Sequence, residues 1–415
     1  MPDFTSTHEC NTSSLNGLYI TALNETYLRR GNETIEGTNV VQYTNFDNTL
    51  EVNVTGGINS VTLYLMDNSH FTISLLGRGP LTVSQILEEL ASYINTDILV
   101  LNEMFCLWLV SPFLEIPLYH EDKPSDIRNK WQNFLDKFSH DFVKDPQSDV
   151  PCLVIRRSYL LPKERENWIL EEQQNTHPEV YNFFIRILFT DAKDEYLRGS
   201  YCCGKNAEDK LTAILISSYA LSTNAGSYEF DGNIQNQMNY LLRPHNTPNK
   251  VPFLTSISNY VTKTRKIQKS TLYWLEKMKT VCGEIKLMEE FLKTVRDFQM
   301  YGCVVYPAFI SQQQINHLRH LVTHNSFSFN SPDVFDPVFV WINSTTFGIS
   351  TKRDANILYT QEIANLRWTI LPQIKDYMRS LLFCPKHESS DNYVEITGKA
   401  STLIHNILAS ISNHI

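Results

Sequence analysis

The apolar residues of this chain change their spacing twice, and that limits the folds open to it. Val61, Leu63 and Leu65 alternate with Thr62 and Tyr64, and after Asp67-Asn68-Ser69 the alternation returns in Phe71, Ile73 and Leu75. A period of two across a polar turn predicts a β-hairpin. Between residue 127 and about residue 298 the steps become three and four. Ile127, Trp131, Leu135 and Phe138 show this spacing, as do Tyr181, Phe184, Ile185, Leu188 and Phe189, and later Tyr273, Trp274, Met278, Val281 and Ile285. This is the spacing of helices with one buried stripe. From Tyr301 onward short strand-like runs return, and the last element, Lys399 to about Asn413, is helical with Leu403, Ile404, Ile407, Leu408 and Ile411 on one stripe. The expected class is therefore α+β in separate lobes: a sheet-bearing lobe over 60–120, a helical lobe over 121–298 and a strand-rich lobe over 299–415. Residues 1–59, rich in Asn, Thr, Gly and Ser, are expected to be a disordered extension.

Local signals sharpen this outline. Thr82 is placed to cap a helix holding Val83, Ile86, Leu87 and Leu90. Phe105 to Val110 and Leu114 to Leu118 are strand-like, and Pro117 and Pro124 punctuate the first boundary. An extended piece, Cys152 to Leu160, carries Arg156 and Arg157 ahead of Pro162. Gly199 is expected to stop the helix that begins near Pro178, because glycine accepts the left-handed cap cheaply. A second helix runs from about Ala207 through Leu211, Leu215 and Tyr219, followed by a polar loop over 222–252. In the last third, strands are expected at Tyr301 to Tyr306, Val338 to Ile342, Phe347 to Ser350, Ile357 to Tyr359, Asn365 to Leu371 and Tyr393 to Ile396.

Composition narrows the function classes. Of 415 residues, 42% are hydrophobic and 12% aromatic, enough to bury a core in most of the chain. A net charge of −9 argues against a nucleic-acid partner. The 8 cysteines form no CxxC pair, which suits a reducing cytosol, and the adjacent Cys202 and Cys203 are expected to be core residues rather than a redox pair. The N-terminus lacks a basic-then-apolar leader, so no signal peptide is expected and the Asn-x-Ser/Thr sequons are taken as products of an Asn-rich composition. The longest apolar run, Met104 to Val110, is far short of a bilayer span.

No Gly-x-Ser-x-Gly elbow, phosphate-binding Gly-Lys-Ser/Thr loop or His-Glu-x-x-His pattern occurs, and Gly77-Arg78-Gly79 lacks the context of a phosphate loop. His317, His320 and His324 share a helical spacing but have no carboxylate or cysteine close in sequence, so a solvated helix explains them better than a metal. Glu164, Glu166, Glu171 and Glu172 around Trp168 suit a charged helix face better than paired catalytic acids. No catalytic residue, cofactor or metal is expected. Lys263, Arg265, Lys266 and Lys269 form the strongest basic cluster and are candidates for anionic lipid headgroups; the alternative is an exposed helix face. Arg156 and Arg157 are open to two readings, phosphate or GTPase contacts and a salt bridge between lobes.

Four segments carry a resemblance. Asp191-Ala192-Lys193-Asp194-Glu195-Tyr196-Leu197-Arg198-Gly199-Ser200-Tyr201 resembles the central lobe of FERM domains. Leu107 to Glu115 looks like the end of a FERM first lobe. Lys130-Trp131-Gln132 sits where the second lobe opens with a Trp, and Arg156-Arg157 before Leu161-Pro162 matches a two-arginine pattern. In the last lobe Tyr301-Gly302 and Leu366-Arg367-Trp368 are similar to the family. The chain departs from it in Asp194, where relatives carry an aromatic, and in ending with the last helix rather than an actin-binding tail. The similarity is to a FERM subgroup that includes an iRhom-binding adaptor and the Krev-interaction-trapped protein.

The resemblance implies a three-lobe cloverleaf of a ubiquitin-like β-grasp lobe, an α-helical bundle and a PH/PTB-like lobe. It also implies a non-catalytic cytosolic adaptor, peripheral at the plasma membrane, that holds the cytoplasmic tail of a membrane protein. By the same resemblance the tail is that of an iRhom-like pseudoprotease in a sheddase complex. Alternatives are a small-GTPase effector using the first two lobes and a phosphoinositide-targeted scaffold. Leu366, Arg367, Trp368 and Thr369, with Leu403, Ile404, Ile407 and Leu408, are expected to flank a groove in which a peptide adds as a strand.

Overall fold

Thr82 caps the first helix through a reciprocal pair of bonds: its hydroxyl accepts the Gln85 amide at 3.3 Å, and the Gln85 side chain accepts the Thr82 amide at 3.1 Å. The computed structural model describes residues 58–76, 79–139, 146–201, 204–222, 269–278, 280, 281, 283–311, 313–315, 318, 335–351, 357–371, 379–387 and 393–413. The expected extension, apart from residues 58 and 59, lies outside these residues, as do Gly77, Arg78, Cys202, Cys203 and the loop over 223–252.

Strands β1 (Ile58–Tyr64) and β2 (His70–Leu76) form the expected hairpin, with Val61 opposite Ile73 and Leu63 opposite Phe71. Asp67 holds the turn by accepting the Ser69 amide and hydroxyl, and Asn68 takes φ +67°, a conformation asparagine tolerates. Helix α1 (Val83–Ile94) buries Val83, Ile86, Leu87, Leu90 and Ala91. A short helix absent from the sequence reading, α2 (Ile98–Met104), follows; Asp97 caps it by accepting the Leu99 amide at 2.8 Å. Then come β3 (Phe105–Val110) and β4 (Glu115–Pro117).

The first sheet has the order β2-β1-β5-β3-β4, where β5 is Cys152–Arg157. Strand β5 is parallel to β1 and antiparallel to β3, so it is the central strand of this sheet. The sequence predicts only an extended piece over 152–160, inside the 121–298 lobe, whereas the structure sets Cys152–Arg157 within the first sheet. The pattern explains why: from Leu153 to Arg157 every residue is buried, and a strand covered on both faces shows no alternation.

Helices α3 (Pro124–Asn129) and α4 (Trp131–Phe138) break at Lys130, and Trp131, Leu135 and Phe138 face inward. Trp131 Nε1 donates to Asp149 at 2.8 Å, which satisfies the buried indole. The middle lobe continues with α5 (Lys163–Thr176), α6 (Pro178–Arg198), α7 (Lys205–Ser222), α8 (Lys269–Met278) and α9 (Glu284–Val295). As the sequence requires, α6 starts with Pro178 at its first turn and stops at Gly199, with φ +82°.

The last sheet is wholly antiparallel in the order β10-β11-β12-β6-β7-β8-β9. Its strands are β6 (Val304–Ser311), β7 (Phe335–Ile342), β8 (Thr346–Thr351), β9 (Ile357–Glu362), β10 (Leu366–Ile370), β11 (Arg379–Pro385) and β12 (Val394–Gly398). Pairing of β12 with β6 brings the last strand back to the first, and α10 (Ser401–Ser412) packs against β10, β11 and β12. Strand β11 has no counterpart in the sequence reading, because the run Leu381-Leu382-Phe383-Cys384 does not alternate.

Candidate functional site

Two places in the fold gather chemistry: the junction of the three lobes and the β10 edge of the last sheet. Arg156 and Arg157 are consecutive on β5, so their side chains leave opposite faces of the strand. Arg156 spreads over three carboxylates, donating to Asp191 at 2.6 Å, Glu115 at 2.6 Å and Glu195 at 2.7 Å. Arg157 donates to Glu166 at 2.5 Å and to the carbonyls of Ser158 and Leu161. Glu166 also takes Arg296 at 2.6 Å and the Tyr301 hydroxyl at 2.9 Å. Arg198 binds Glu115 and lies 2.6 Å from Asp194.

These bonds tie β4 and β5 of the first sheet to α5 and α6. Tyr301, just ahead of β6, brings in the last lobe, and the Tyr306 hydroxyl on β6 reaches the Glu115 carbonyl at 3.4 Å. Both arginines are therefore interlobe salt-bridge partners. Glu166, expected on a charged outer face, is fully buried in this junction. An arginine fork can satisfy several buried carboxylates at once, which a lysine cannot.

Burial pushes the Glu115 carboxyl up, but Arg198 and Arg156 overcome this and hold it below its usual range. Arg157 and Arg296 do the same for Glu166. Asp194 is different. Burial dominates there, Glu195 and Glu115 add to it against Arg198, and its carboxyl rises to about 7. The cavity at the junction, lined by Trp108, Arg156, Leu188, Glu195, Tyr301 and Cys303 among others, is about 20 Å³, the scale of a water molecule. Burial lifts the Cys303 thiol to about 12, so it stays neutral. The junction's chemistry is that of a clasp between lobes.

The second place is β10, which ends the last sheet and, among the described residues, pairs only with β11. The Leu371 amide donates to the Ser380 carbonyl at 2.8 Å, and the Lys386 amide to the Asn365 carbonyl at 2.8 Å. In an antiparallel ladder such pairs recur at every second residue. Residues 365, 367, 369 and 371 thus turn their backbone groups toward β11, and Trp368 and Ile370 turn theirs to the open edge, as does the Leu366 carbonyl; the Leu366 amide donates instead to the Ile363 carbonyl.

Side chains sort differently. Leu366 is buried, Trp368 half-buried against the core, Arg367 half-buried and Thr369 exposed. The four helix residues proposed for the groove, Leu403, Ile404, Ile407 and Leu408, are all buried in the core of the lobe. A peptide at this edge would meet Arg367, Trp368 and Thr369, not these four. Lys263, Arg265 and Lys266 lie outside the described residues, as do His317, His320 and His324; Lys269 is the first residue of α8. Among the described residues no group of three or more His, Cys, Asp or Glu side chains is arranged for a metal, and no helix is long and apolar enough to cross a membrane.

Comparison with known proteins agrees with this geometry. Residues 176–306 match the family model of the FERM central domain. FERM domain-containing protein 8 of Xenopus tropicalis is 23% identical over 318 residues, covering 74% of this chain and 64% of that protein. The Homo sapiens protein of the same name is 26% identical over 155 residues, covering 37% and 31%. The chain thus spans less than two thirds of the curated relatives it matches. Among solved structures, the C-terminal MyTH4-FERM domain of human Myosin 7b, in complex with the harmonin-a PDZ3 domain, superposes with a TM-score of 0.52 at 12% identity, covering 86% of this chain and 60% of that one. The Dictyostelium discoideum Myosin VII MyTH4-FERM MF1 domain gives 0.53 at 11%, covering 86% and 59%. These likenesses establish the fold.

Proposed function

We propose that this chain, which carries a FERM fold, is a non-catalytic adaptor that holds the cytoplasmic tail of a membrane protein as an added strand on β10. One observation carries the reading: the amides and carbonyls of Trp368 and Ile370, and the carbonyl of Leu366, face a sheet edge that no described strand covers, beside the half-buried Trp368 ring. Unpaired edge groups template another strand, main-chain bonds supplying affinity and side chains selectivity. The likeness to FERM domain-containing protein 8 supports an iRhom-like pseudoprotease as the owner of the tail and a membrane sheddase complex as the assembly it stabilises. The protein then works in the cytoplasm, peripheral at the cytosolic face of the plasma membrane. Capture of the full chain from cells, with amine cross-linking and mass spectrometry, tests this. Lys386 closes the β10–β11 edge, its ammonium 2.5 Å from the Ala364 carbonyl, and cross-links from it to a captured tail are expected. Tail cross-links confined to the first two lobes would contradict the reading and favour a site there.

A further inference from the structure

Trp168 is 50% exposed and Leu99 72% exposed, although both belong to well-packed helices. The inward face of α5 is Glu166, Ile169, Leu170 and Gln173, so the core makes no use of Trp168. The two apolar side chains belong to one surface across the first and second lobes. Leu99 precedes Glu103 by one turn of α2. Glu103 accepts both Arg165 Nε at 2.6 Å and Arg165 Nη2 at 2.9 Å from α5. The Arg165 guanidinium then lies 4.2 Å over the ring of Trp168. The indole thus carries a stacked cation held by Glu103, while half of the side chain stays exposed.

The surroundings are acidic. Glu164, Glu171 and Glu172 stand three or four residues from Trp168 on the exposed face of α5, and Asp97 is exposed beside Leu99. Together with Glu103 that makes, among the described residues, five carboxylates around one guanidinium, Arg165, which is committed to Glu103. Lys163, the neighbouring cation in sequence, donates to the carbonyls of Arg296 and Phe298. An exposed Trp with a pre-positioned arginine is the residue chemistry of an interface centre, and an acidic rim selects a cationic visitor.

We propose that this α2–α5 surface docks a basic segment of a partner protein that carries one or two apolar side chains. An apolar side chain or arginine of the segment stacks on the exposed half of Trp168, another packs on Leu99, and its cations meet Glu164, Glu171 and Glu172. Nucleic acid and anionic membrane are repelled by the same rim. Residues 1–57 of this chain are a poor occupant, with seven acidic residues against Arg29 and Arg30. The site is separate from β10 and does not depend on the tail reading.

Two labelled peptides of equal positive charge test it, one of arginine and leucine, the other with serine in place of leucine. Binding to the full chain is read by fluorescence anisotropy at near-physiological salt. The arginine/leucine peptide is expected to bind about tenfold tighter than its serine counterpart, with the preference lost in Trp168→Ala. Glu171→Lys with Glu172→Lys is expected to weaken both peptides, and Ile370→Pro to change neither. Circular dichroism checks that each variant is folded, and Leu99→Ser gives a second, independent loss of preference. The proposal is overturned if Trp168→Ala keeps the preference or if the unaltered chain shows none. It is also overturned if the preference appears only after charge reversal at Lys263, Arg265, Lys266 and Lys269, since the occupant would then be this chain's own basic run.

Discussion

Gly302 lies directly against the guanidinium of Arg157, at the point where the last lobe leaves the junction. A β-carbon on Gly302 would overlap Arg157 Nη1 and come within 2.7 Å of its Cζ, and the residue holds φ +69°. Only glycine suits both conditions. Gly302→Ala is therefore expected to cost about 2–4 kcal/mol, from left-handed backbone strain and from displacing an arginine bonded to Glu166. A double-mutant cycle in denaturant separates the causes. Added to Arg157→Ala, the glycine substitution should cost markedly less than it does alone, because the clash is gone.

Arg156 answers three carboxylates at once and shares only Glu115 with Arg198. Its side chain is 7% exposed and answers Asp191, Glu115 and Glu195 together. Arg156→Leu leaves three carboxylates facing one another in a buried site, at an expected cost of about 3–5 kcal/mol. Arg156→Lys keeps a charge but cannot reach three partners, so it should fall between the two. Midpoints of chemical denaturation rank the three proteins; equal midpoints for Arg156→Leu and the unaltered chain would mean the clasp contributes nothing.

Asp194 gives the fold a pH dependence of definite sign. Burial pushes its carboxyl up to about 7 in the folded chain, from the ordinary aspartate value of 3.8. Between roughly pH 4 and 7 the folded state thus binds more protons than the unfolded one, and stability falls as pH rises through that window. Glu115 and Glu166 have the opposite sign, but their depressed carboxyls lose stability only on acidification below about pH 5, so the range from 6 to 8 separates Asp194 from these two, and the Asp194→Asn difference separates it from the rest. The expected loss there is about 1 kcal/mol. Asp194→Asn, which cannot ionise, should flatten the curve and be the more stable protein at pH 8.

Much of this architecture was legible in the sequence where one face of an element meets water. The Thr82 cap, the 61–75 hairpin, the stop at Gly199 and the terminal helix all follow from local chemistry or from period. Strand β11 was not, and β5 was legible only as extended chain, not as part of the first sheet, because both are largely covered and carry apolar runs that do not alternate. The junction was half legible. Arg156, Arg157 and the 191–201 stretch stood out, but only the fold brings Glu115 and Tyr301 to them. The groove was not legible: Leu403, Ile404, Ile407 and Leu408 are expected to flank it, yet all four are buried in the core of the lobe.

The account turns on which amides of β10 are free, and two proline substitutions one residue apart address that. Thr369 turns its amide toward Leu382 of β11, so Thr369→Pro breaks the sheet and should lower the melting temperature. Ile370 turns its amide outward, so proline there removes a donor the sheet does not use. Ile370→Ala trims the same half-buried side chain while keeping the amide and serves as the control. The measurement is the affinity of the full chain for the cytoplasmic tail of an iRhom-like pseudoprotease, with melting temperature recorded on each sample. The account predicts that Ile370→Pro stays folded and binds about tenfold or more weakly, while Ile370→Ala binds nearly as the unaltered chain does. A folded Ile370→Pro chain with undiminished tail affinity would contradict it.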